Sequence, residues 1–250
     1  MFMQNTKKVF LSPHLDDAVY SCGGIIRELI LKGIPVEVWS VFTADPPEGS
    51  LSPFALSLHA RWKEKVNPSW IRREEDKRAL EFLGCTFRHL YYPDCIYRRD
   101  PQTDEPIIKK NEDLFSTDYV VEKELLANLV KDLKKRLPFG AEIISPLSMG
   151  GHIDHRVTRM AAEKLGIPLW FYADYPYAAK DPSKVAAFVP ENAEPEVLDL
   201  SEAGVEAWIK AIACYPTQIS SFWPSVDEMH KKVRHYASLP IGHTLWHTKD

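Results

Sequence analysis

Residues 7–24, KKVFLSPHLDDAVYSCGG, decide how the chain is read. The apolar run Val9-Phe10-Leu11 breaks at Pro13 and delivers His14, Asp16 and Asp17 just before a pattern of helical period. Val19, Cys22, Ile26, Leu29 and Ile30 recur at spacings that place them on one stripe of a helix from about Asp17 to Lys32, with Gly33 as its stop. The stretch therefore predicts a strand, a turn carrying three side chains able to bind a metal or carry a proton, and a helix.

The same unit recurs. Strand-length runs follow at 36–43 (VEVWSVFT), 86–92 (TFRHLYY), 142–148 (EIISPLS) and 168–174 (PLWFYAD). Helical patterns lie between them, at about 69–83 with Gly84 as the stop, at 118–137 with Val121, Leu125, Leu129 and Leu133 on one face, and at 152–166 with Ile153, Val157 and Met160 toward the core. Such alternation predicts a single Rossmann-like α/β domain over 1–250, with a mostly parallel sheet, helices on both faces and an active site at the carboxyl ends of the strands. Its core spans about 7–180 and residues 181–250 pack on it, with one helix near 202–213 and an aromatic-rich turn or short helix in CYPTQISSFWP (214–224).

Composition excludes several classes. Of 250 residues, 45% are apolar and 26% charged, which argues against disordered or fibrous chains. Thirty-one basic residues against 35 acidic ones, a net charge of −4, provide no field to hold nucleic acid or an anionic membrane, and the run Lys231, Lys232, Arg234 reads as a solvated face. Cys22, Cys85, Cys95 and Cys214 show no C-x-x-C spacing, which fits a reducing compartment. The opening MFMQNTKKVF lacks the apolar core of a signal peptide, and no run nears the ~18 apolar residues of a membrane span, so the expectation is a soluble, cytoplasmic protein for which a homo-oligomer is possible.

A second polar cluster, GGHIDHR at 150–156, also sits just beyond a strand. His152 and His155, three apart at the start of a helix, share a face. In a parallel sheet whose order reverses between the first and fourth strands, the loops after those strands meet at one crevice, so His14, Asp16 and Asp17 would face the two histidines. Catalytic zinc keeps three protein ligands and one open position, and five candidates are too many. Consecutive residues diverge, so one of Asp16 and Asp17 binds metal while the other faces the open position; likewise one histidine binds and the other reaches the substrate. The plainer alternative, an aspartate as helix N-cap and histidines as satisfied surface groups, explains either cluster alone but not both at strand ends. Gly23-Gly24 lacks G-x-G-x-x-G spacing and lies inside the helix, where it would permit close packing on the sheet. Two long connections rich in proline and charge, 44–67 and 95–117, leave strand carboxyl ends and are expected to wall the crevice.

These motifs resemble those of the PIG-L, or LmbE-like, family of zinc-dependent de-N-acetylases. The family's PHPDDE motif stands here as Pro13-His14-Leu15-Asp16-Asp17-Ala18, and its H-x-D-H motif as His152-Ile153-Asp154-His155. RREEDKRALEFLG resembles the family segment with Arg72 and Glu75, YYPD supplies Pro93-Asp94, and ACYPTQI (213–219) resembles a C-terminal tyrosine-and-glutamine segment. The resemblance implies one zinc ion per chain on His14, Asp17 and His155, Asp16 as general base, and His152 stabilising the oxyanion or protonating the leaving amine. It further implies that Arg72 and Asp94 hold sugar hydroxyls and that Asp154 lies behind the ligands. The substrate would be an N-acyl amino sugar of the N-acetylglucosamine type or a small glycoconjugate. Leu15 and Ala18 replace the usual proline and glutamate, neither a metal ligand, and Gly150 stands where several relatives carry a tyrosine. Outside the resemblance, Arg72 reads as an exposed helix face, Asp94 as a turn former, and Trp62, Trp70, Tyr91, Tyr92 and Tyr97 as core or pocket wall. A metal-dependent phosphoesterase and a non-catalytic sugar- or nucleotide-binding module are the rival readings.

Overall fold

The computed structural model describes residues 6–62 and 67–249; residues 1–5, where the chain's opening was read, and 63–66 of the first long connection lie outside the described residues. The first βαβ unit forms as the periodicity indicates: β1 (Lys8–Ser12) is buried along its whole length, α1 (Asp17–Leu31) follows, and β2 (Val36–Ser40) pairs parallel to β1 with Ser12 opposite Ser40. After β2 come α2 (Pro53–Arg61), α3 (Pro68–Leu83), β3 (Thr86–His89), α4 (Lys123–Arg136), β4 (Glu142–Pro146), α5 (Ile153–Glu163) and β5 (Leu169–Tyr172). The C-terminal part adds α6 (Tyr177–Lys180), β6 (Ala193–Val197), α7 (Glu202–Ile212), α8 (Pro216–Phe222), α9 (Val226–Ser238) and β7 (Thr244–Thr248).

The seven strands form one sheet in the order β3-β2-β1-β4-β5-β7-β6. The five from β3 to β5 run parallel, and β7 pairs antiparallel to both β5 and β6. Strand order reverses between β1 and β4, the expected switch point. The chain steps outward from β1 to β2 and β3, then returns across the sheet to β4 and β5; right-handed crossovers in the two directions put their helices on opposite faces, and α1, α3 and α7 accordingly pack together as one layer while α4 packs on α5.

Several details differ from the sequence reading, among them the strands expected over 36–43 and 86–92, which end at Ser40 and His89. The helix expected over 118–137 starts at Lys123, because Glu122 is extended and its carboxylate is engaged with the Tyr119 hydroxyl and, at 3.5 Å, with Arg98. The first long connection contains α2, capped by the Ser52 hydroxyl and opened by Pro53, in a segment too rich in proline to show a clear period. The C-terminal part carries β6, β7 and α9 besides the expected helix; Lys231 and Arg234 lie on the exposed side of α9 in ion pairs with Glu228, Glu202 and Glu206.

Gly23 and Gly24 face α7 rather than the sheet. A methyl group at Gly23 would lie 2.3 Å from a ring carbon of Trp208, a fully buried side chain whose Nε1–H donates to the Val19 carbonyl at 2.7 Å. Alanine in a helix gains up to ~1 kcal/mol over glycine, whereas overpacking a filled core costs ~1–3 kcal/mol. Gly23→Ala is therefore expected to destabilise the fold by about 1–2 kcal/mol in urea denaturation; a more stable variant would mean that Trp208 has room to retreat.

Candidate active site

The turn after β1 is built so that its aspartates are free. The Ser12 hydroxyl donates to the His14 carbonyl at 2.6 Å and accepts the Ala18 N–H at 3.0 Å, taking the capping role at the start of α1. Asp16 occupies the N-cap position without a side-chain cap bond, at φ 151°, a sparsely populated conformation of the kind stored at functional sites. Asp17 bends back instead, its Oδ2 accepting the His14 N–H at 2.7 Å. The N-cap alternative for these aspartates thus fails on geometry.

Across the switch point, the turn after β4 runs through left-handed Ser148 and Gly150 to His152, whose Nδ1 accepts the Asp154 N–H at 3.2 Å and caps α5. Asp154 is fully buried. Its Oδ2 lies 3.1 Å from His14 Nε2 and accepts the Cys95 N–H at 2.9 Å, while its Oδ1 accepts from Arg98 Nη2 at 2.6 Å. His155 Nδ1 lies 2.7 Å from Asp174 Oδ1, and Asp174 Oδ2 accepts the Met149 N–H at 3.0 Å. His14 and His155 therefore each have one ring nitrogen engaged by a buried carboxylate, which fixes the ring and turns the other nitrogen inward.

The inward nitrogens meet on one atom. Asp17 Oδ2 lies 3.2 Å from His14 Nδ1 and 3.2 Å from His155 Nε2. Donors about 2.0–2.2 Å from a tetrahedral ion are separated by ~3.3 Å, and the two distances to Asp17 Oδ2 match that spacing. Among the described residues, three groups of side chains have ligand atoms close enough to hold an ion: His14, His152 and His155; Cys95, His152 and Asp154; and His14, Asp94 and Asp154. The latter two draw on Asp154, already committed to three donors; the first holds both histidines of the trio with His152 in place of Asp17, whose Oδ2 nonetheless lies 3.2 Å from each of those two rings.

Charge follows the same geometry. Burial opposes ionisation of His14 and His155, but carboxylates outweigh it: Asp154 and Asp17 hold His14 well above its usual value, and Asp17 and Asp174 raise His155 to about 10. Burial likewise opposes the Asp17 charge, yet the two imidazoles hold its pKa well below the carboxylate range. Burial first and the neighbouring Asp17 charge second push Asp16 up to about 8, against the pull of Arg72, whose Nη2 is 3.6 Å from Asp16 Oδ2. Burial and the His14 and His155 charges depress His152 well below its usual range. The two adjacent aspartates differ in environment as sharply as in direction.

These groups line a cavity of about 140 Å³ together with Arg72 and Asp94. Arg72, read outside the resemblance as an exposed helix face, is buried with its guanidinium 4.8 Å from the Trp62 ring centre. Asp94 is both turn former and cavity wall: Oδ1 accepts the Ile96 N–H at 3.1 Å and Oδ2 lies 3.7 Å from His14 Nε2. The two long connections wall the cavity with Leu58 and Trp62 from the first and Ile96 and Leu114 from the second. Trp70 and Tyr91 point to solvent. In the C-terminal segment, Gln218 reaches the cavity, Tyr215 donates to Asp76 at 2.7 Å, and Thr217 binds Glu75, clamping α8 to α3.

A family model described as PIG-L: GlcNAc-PI de-N-acetylase matches residues 9–165. The chain belongs to the PIG-L family. It is 26% identical over 190 residues to a 2'-N-acetylparomamine deacetylase of Niallia circulans, covering 68% of this chain and 66% of the relative. It is 30% identical over 186 residues to the enzyme of that name from Streptomyces fradiae, covering 71% of this chain and 60% of the relative. The match thus spans somewhat less than two thirds of these relatives' lengths. The solved structure of the antimicrobial reagent A40926 pseudoaglycone deacetylase is 30% identical with a TM-score of 0.73, covering 97% of both chains. The fold also matches the zinc-inhibited form of teicoplanin deacetylase, at 23% identity and a TM-score of 0.80 over 98% of both chains.

Within this PIG-L chain, sequence reasoning missed Asp174, Arg98 and Tyr177. Asp174 carried a legible signal, a carboxylate closing the apolar run PLWFYAD at a strand's carboxyl end. Arg98 lies in a connection without periodicity, and Tyr177 opens α6, a single turn too short to show one. Tyr177 also accounts for Gly150: a side chain there would place its Cβ 2.5 Å from the Tyr177 ring, which takes that side of the cavity. Because Asp174 orients His155, Asp174→Asn is expected to weaken divalent-metal affinity about ten- to a hundredfold in competition with a chromogenic chelator, with the fold retained. Unchanged affinity would remove His155 from the ligands.

Proposed function

We propose that the chain is a metal-dependent hydrolase that removes an N-acetyl group from an amino sugar carried in a glycoconjugate, with one zinc ion per chain. The observation that carries this reading is the meeting of His14 Nδ1 and His155 Nε2 on Asp17 Oδ2, each ring backed by its own carboxylate. The names of the relatives, deacetylases of acetylparomamine and of a glycopeptide pseudoaglycone, point the same way.

His14, Asp17 and His155 would hold the ion, which supplies Lewis-acid polarisation of the amide carbonyl and brings the pKa of water to about 7. Asp16, outside the trio but in the same cavity, would accept the proton of the attacking water as a carboxylate, a form that burial and the Asp17 charge oppose in the metal-free site and that the positive charge of an ion held by the trio would restore. His152 has two candidate roles, and its hydrogen bond favours one. Its Nδ1 accepts a backbone N–H, so a neutral ring carries its proton on Nε2 and presents a donor to the developing oxyanion. The proton taken by Asp16 then passes to the leaving amine. Arg72 holds Asp16 in place and, with Asp94, offers polar groups to sugar hydroxyls. Asp154 and Arg98 behind His14 fix the ring.

Against the first rival reading, the relatives' names are those of deacetylases rather than phosphoesterases. A binding module would leave the strained Asp16 and the capped His152 without a task. Four unpaired cysteines accord with a cytoplasmic setting, and among the described residues no helix is long and apolar enough to cross a membrane.

The direct test is release of acetate and free amine from a panel of N-acetylated amino sugars and glycoconjugates. We expect activity that is lost to a chelator, restored by divalent metal, and accompanied by about one ion per chain. Asp17→Asn should lose metal and recover partly when metal is in excess. Asp16→Asn should keep its metal while turnover falls about a hundred- to ten-thousandfold, beyond rescue. Loss of metal in Asp16→Asn, or near-normal turnover, would refute the assignment.

A further inference from the structure

The segment CYPTQ (214–218), which the proposed chemistry leaves unused, enters α8 through Pro216, and Thr217 and Gln218 follow in the first turn. N–H groups there have no partner within their own helix. That of Thr217 is met from α3: Glu75 Oε1 accepts it at 3.0 Å, and Glu75 Oε2 accepts the Thr217 hydroxyl at 2.6 Å. Glu75 stands one turn of α3 beyond Arg72. Burial pushes the Glu75 carboxyl up, with the two Thr217 bonds, Arg72 and Arg78 opposing, and 2.6 Å is the length of a hydroxyl donating to a charged oxygen.

That one proton decides the next contact. A hydroxyl that has given its hydrogen to a carboxylate has only lone pairs left, so the 3.0 Å contact between Thr217 Oγ1 and Gln218 is made by a hydrogen on Gln218 Nε2. The opposite orientation of the amide would set two acceptors against each other. Gln218 Oε1 is therefore turned away from Thr217. The side chain is only 5% exposed and lines the reacting cavity, and among the described residues no donor reaches Oε1. A buried acceptor left without a partner on the protein is held for whatever fills the cavity.

We infer that Gln218 Oε1 accepts a hydrogen bond from one hydroxyl of the amino sugar, and that Thr217 and Glu75 are positioning residues that hold the amide this way round. The inference rests on the proposed deacetylase reading and deepens it: the substrate keeps that hydroxyl free, and a sugar alkylated or glycosylated there is refused. Arg72, which lines the same cavity, can only donate, whereas Gln218 presents an acceptor. A hydroxyl, which both accepts and donates, satisfies the two together; an ether oxygen or a fluorine satisfies the arginine alone.

The test uses the metal-loaded protein with the benzyl glycoside of N-acetylglucosamine and its 3-, 4- and 6-deoxyfluoro derivatives, since fluorine takes the place of a hydroxyl but has no hydrogen to give. At one position the fluoro sugar is expected to fall about ten- to a hundredfold below the parent in kcat/KM, chiefly through KM, because Oε1 then faces another acceptor. Thr217→Val deletes the hydroxyl, and Glu75→Gln puts a donor opposite Thr217 and releases the hydroxyl proton toward Gln218, so both free the amide to turn over. In each, the penalty at that position should shrink to about threefold or less while the other two positions keep theirs, and Thr217→Ser should keep all three. A merely structural role would lower every sugar alike. Gln218→Leu, which leaves the Glu75 bonds in place, gives the same comparison should either variant fold poorly. Three fluoro sugars used as well as the parent, or a penalty that survives these substitutions, overturns the inference. If no sugar of the set is deacetylated the proposed activity fails, and calorimetry decides the inference alone: weaker binding of one fluoro sugar that is relieved in Thr217→Val supports it, and equal binding, or none, overturns it.

Discussion

One buried carboxylate, Asp154, joins the separate parts of the site. It stands in the first turn of α5, yet it engages His14 from the turn after β1 and both Arg98 and the Cys95 N–H from the connection after β3. An ion taken wholly from water costs several kcal/mol unless its lone pairs are met, and here three donors meet them. Burial opposes the charge, but Arg98 and His14 together hold Asp154 well below the usual carboxylate range. Removing any partner would both expose the cost of that burial and free the His14 ring. The strand reversal between β1 and β4 brings these segments near one another; Asp154 sets their register.

The division of labour at the site follows from a capping choice. Had an aspartate capped α1, one of the two carboxylates would be spent on backbone N–H groups. Ser12 takes that task, five residues before the helix begins, and Asp16 and Asp17 are left to diverge, one toward Arg72 and the other between two imidazoles. The same economy marks α5, where a histidine rather than a serine caps the helix and the capping bond fixes which ring nitrogen is left for chemistry.

Four of the five parallel strands, β1, β2, β4 and β5, were legible because they are buried along nearly all their length, and burial is what periodicity reports; β3, TFRH at the sheet edge, is exposed or half-buried and was read from the longer run TFRHLYY. The cluster His14, Asp16, Asp17, His152 and His155 was legible because polar residues at strand carboxyl ends stand out against those runs. What was hidden depended on pairing rather than pattern. β6, AEPEV, is a half-exposed edge strand with a central proline, and only its antiparallel partner β7 makes it a strand. The direction of Gly23 depended on Trp208, 185 positions along the chain, and the role of Arg98 on a carboxylate 56 residues away. Asp174 was the exception, visible at the end of β5 and overlooked.

The central claim is that two histidines and one of two adjacent aspartates bind the metal while their immediate neighbours do the chemistry. Anomalous diffraction at the zinc edge from crystals of the metal-loaded protein tests it most directly. The account predicts a single strong peak within about 2.0–2.2 Å of His14 Nδ1, Asp17 Oδ2 and His155 Nε2, with the Asp16 carboxylate and His152 Nε2 outside bonding distance. A peak bonded to His152 in place of Asp17, or seated between Cys95 and Asp154, would contradict it.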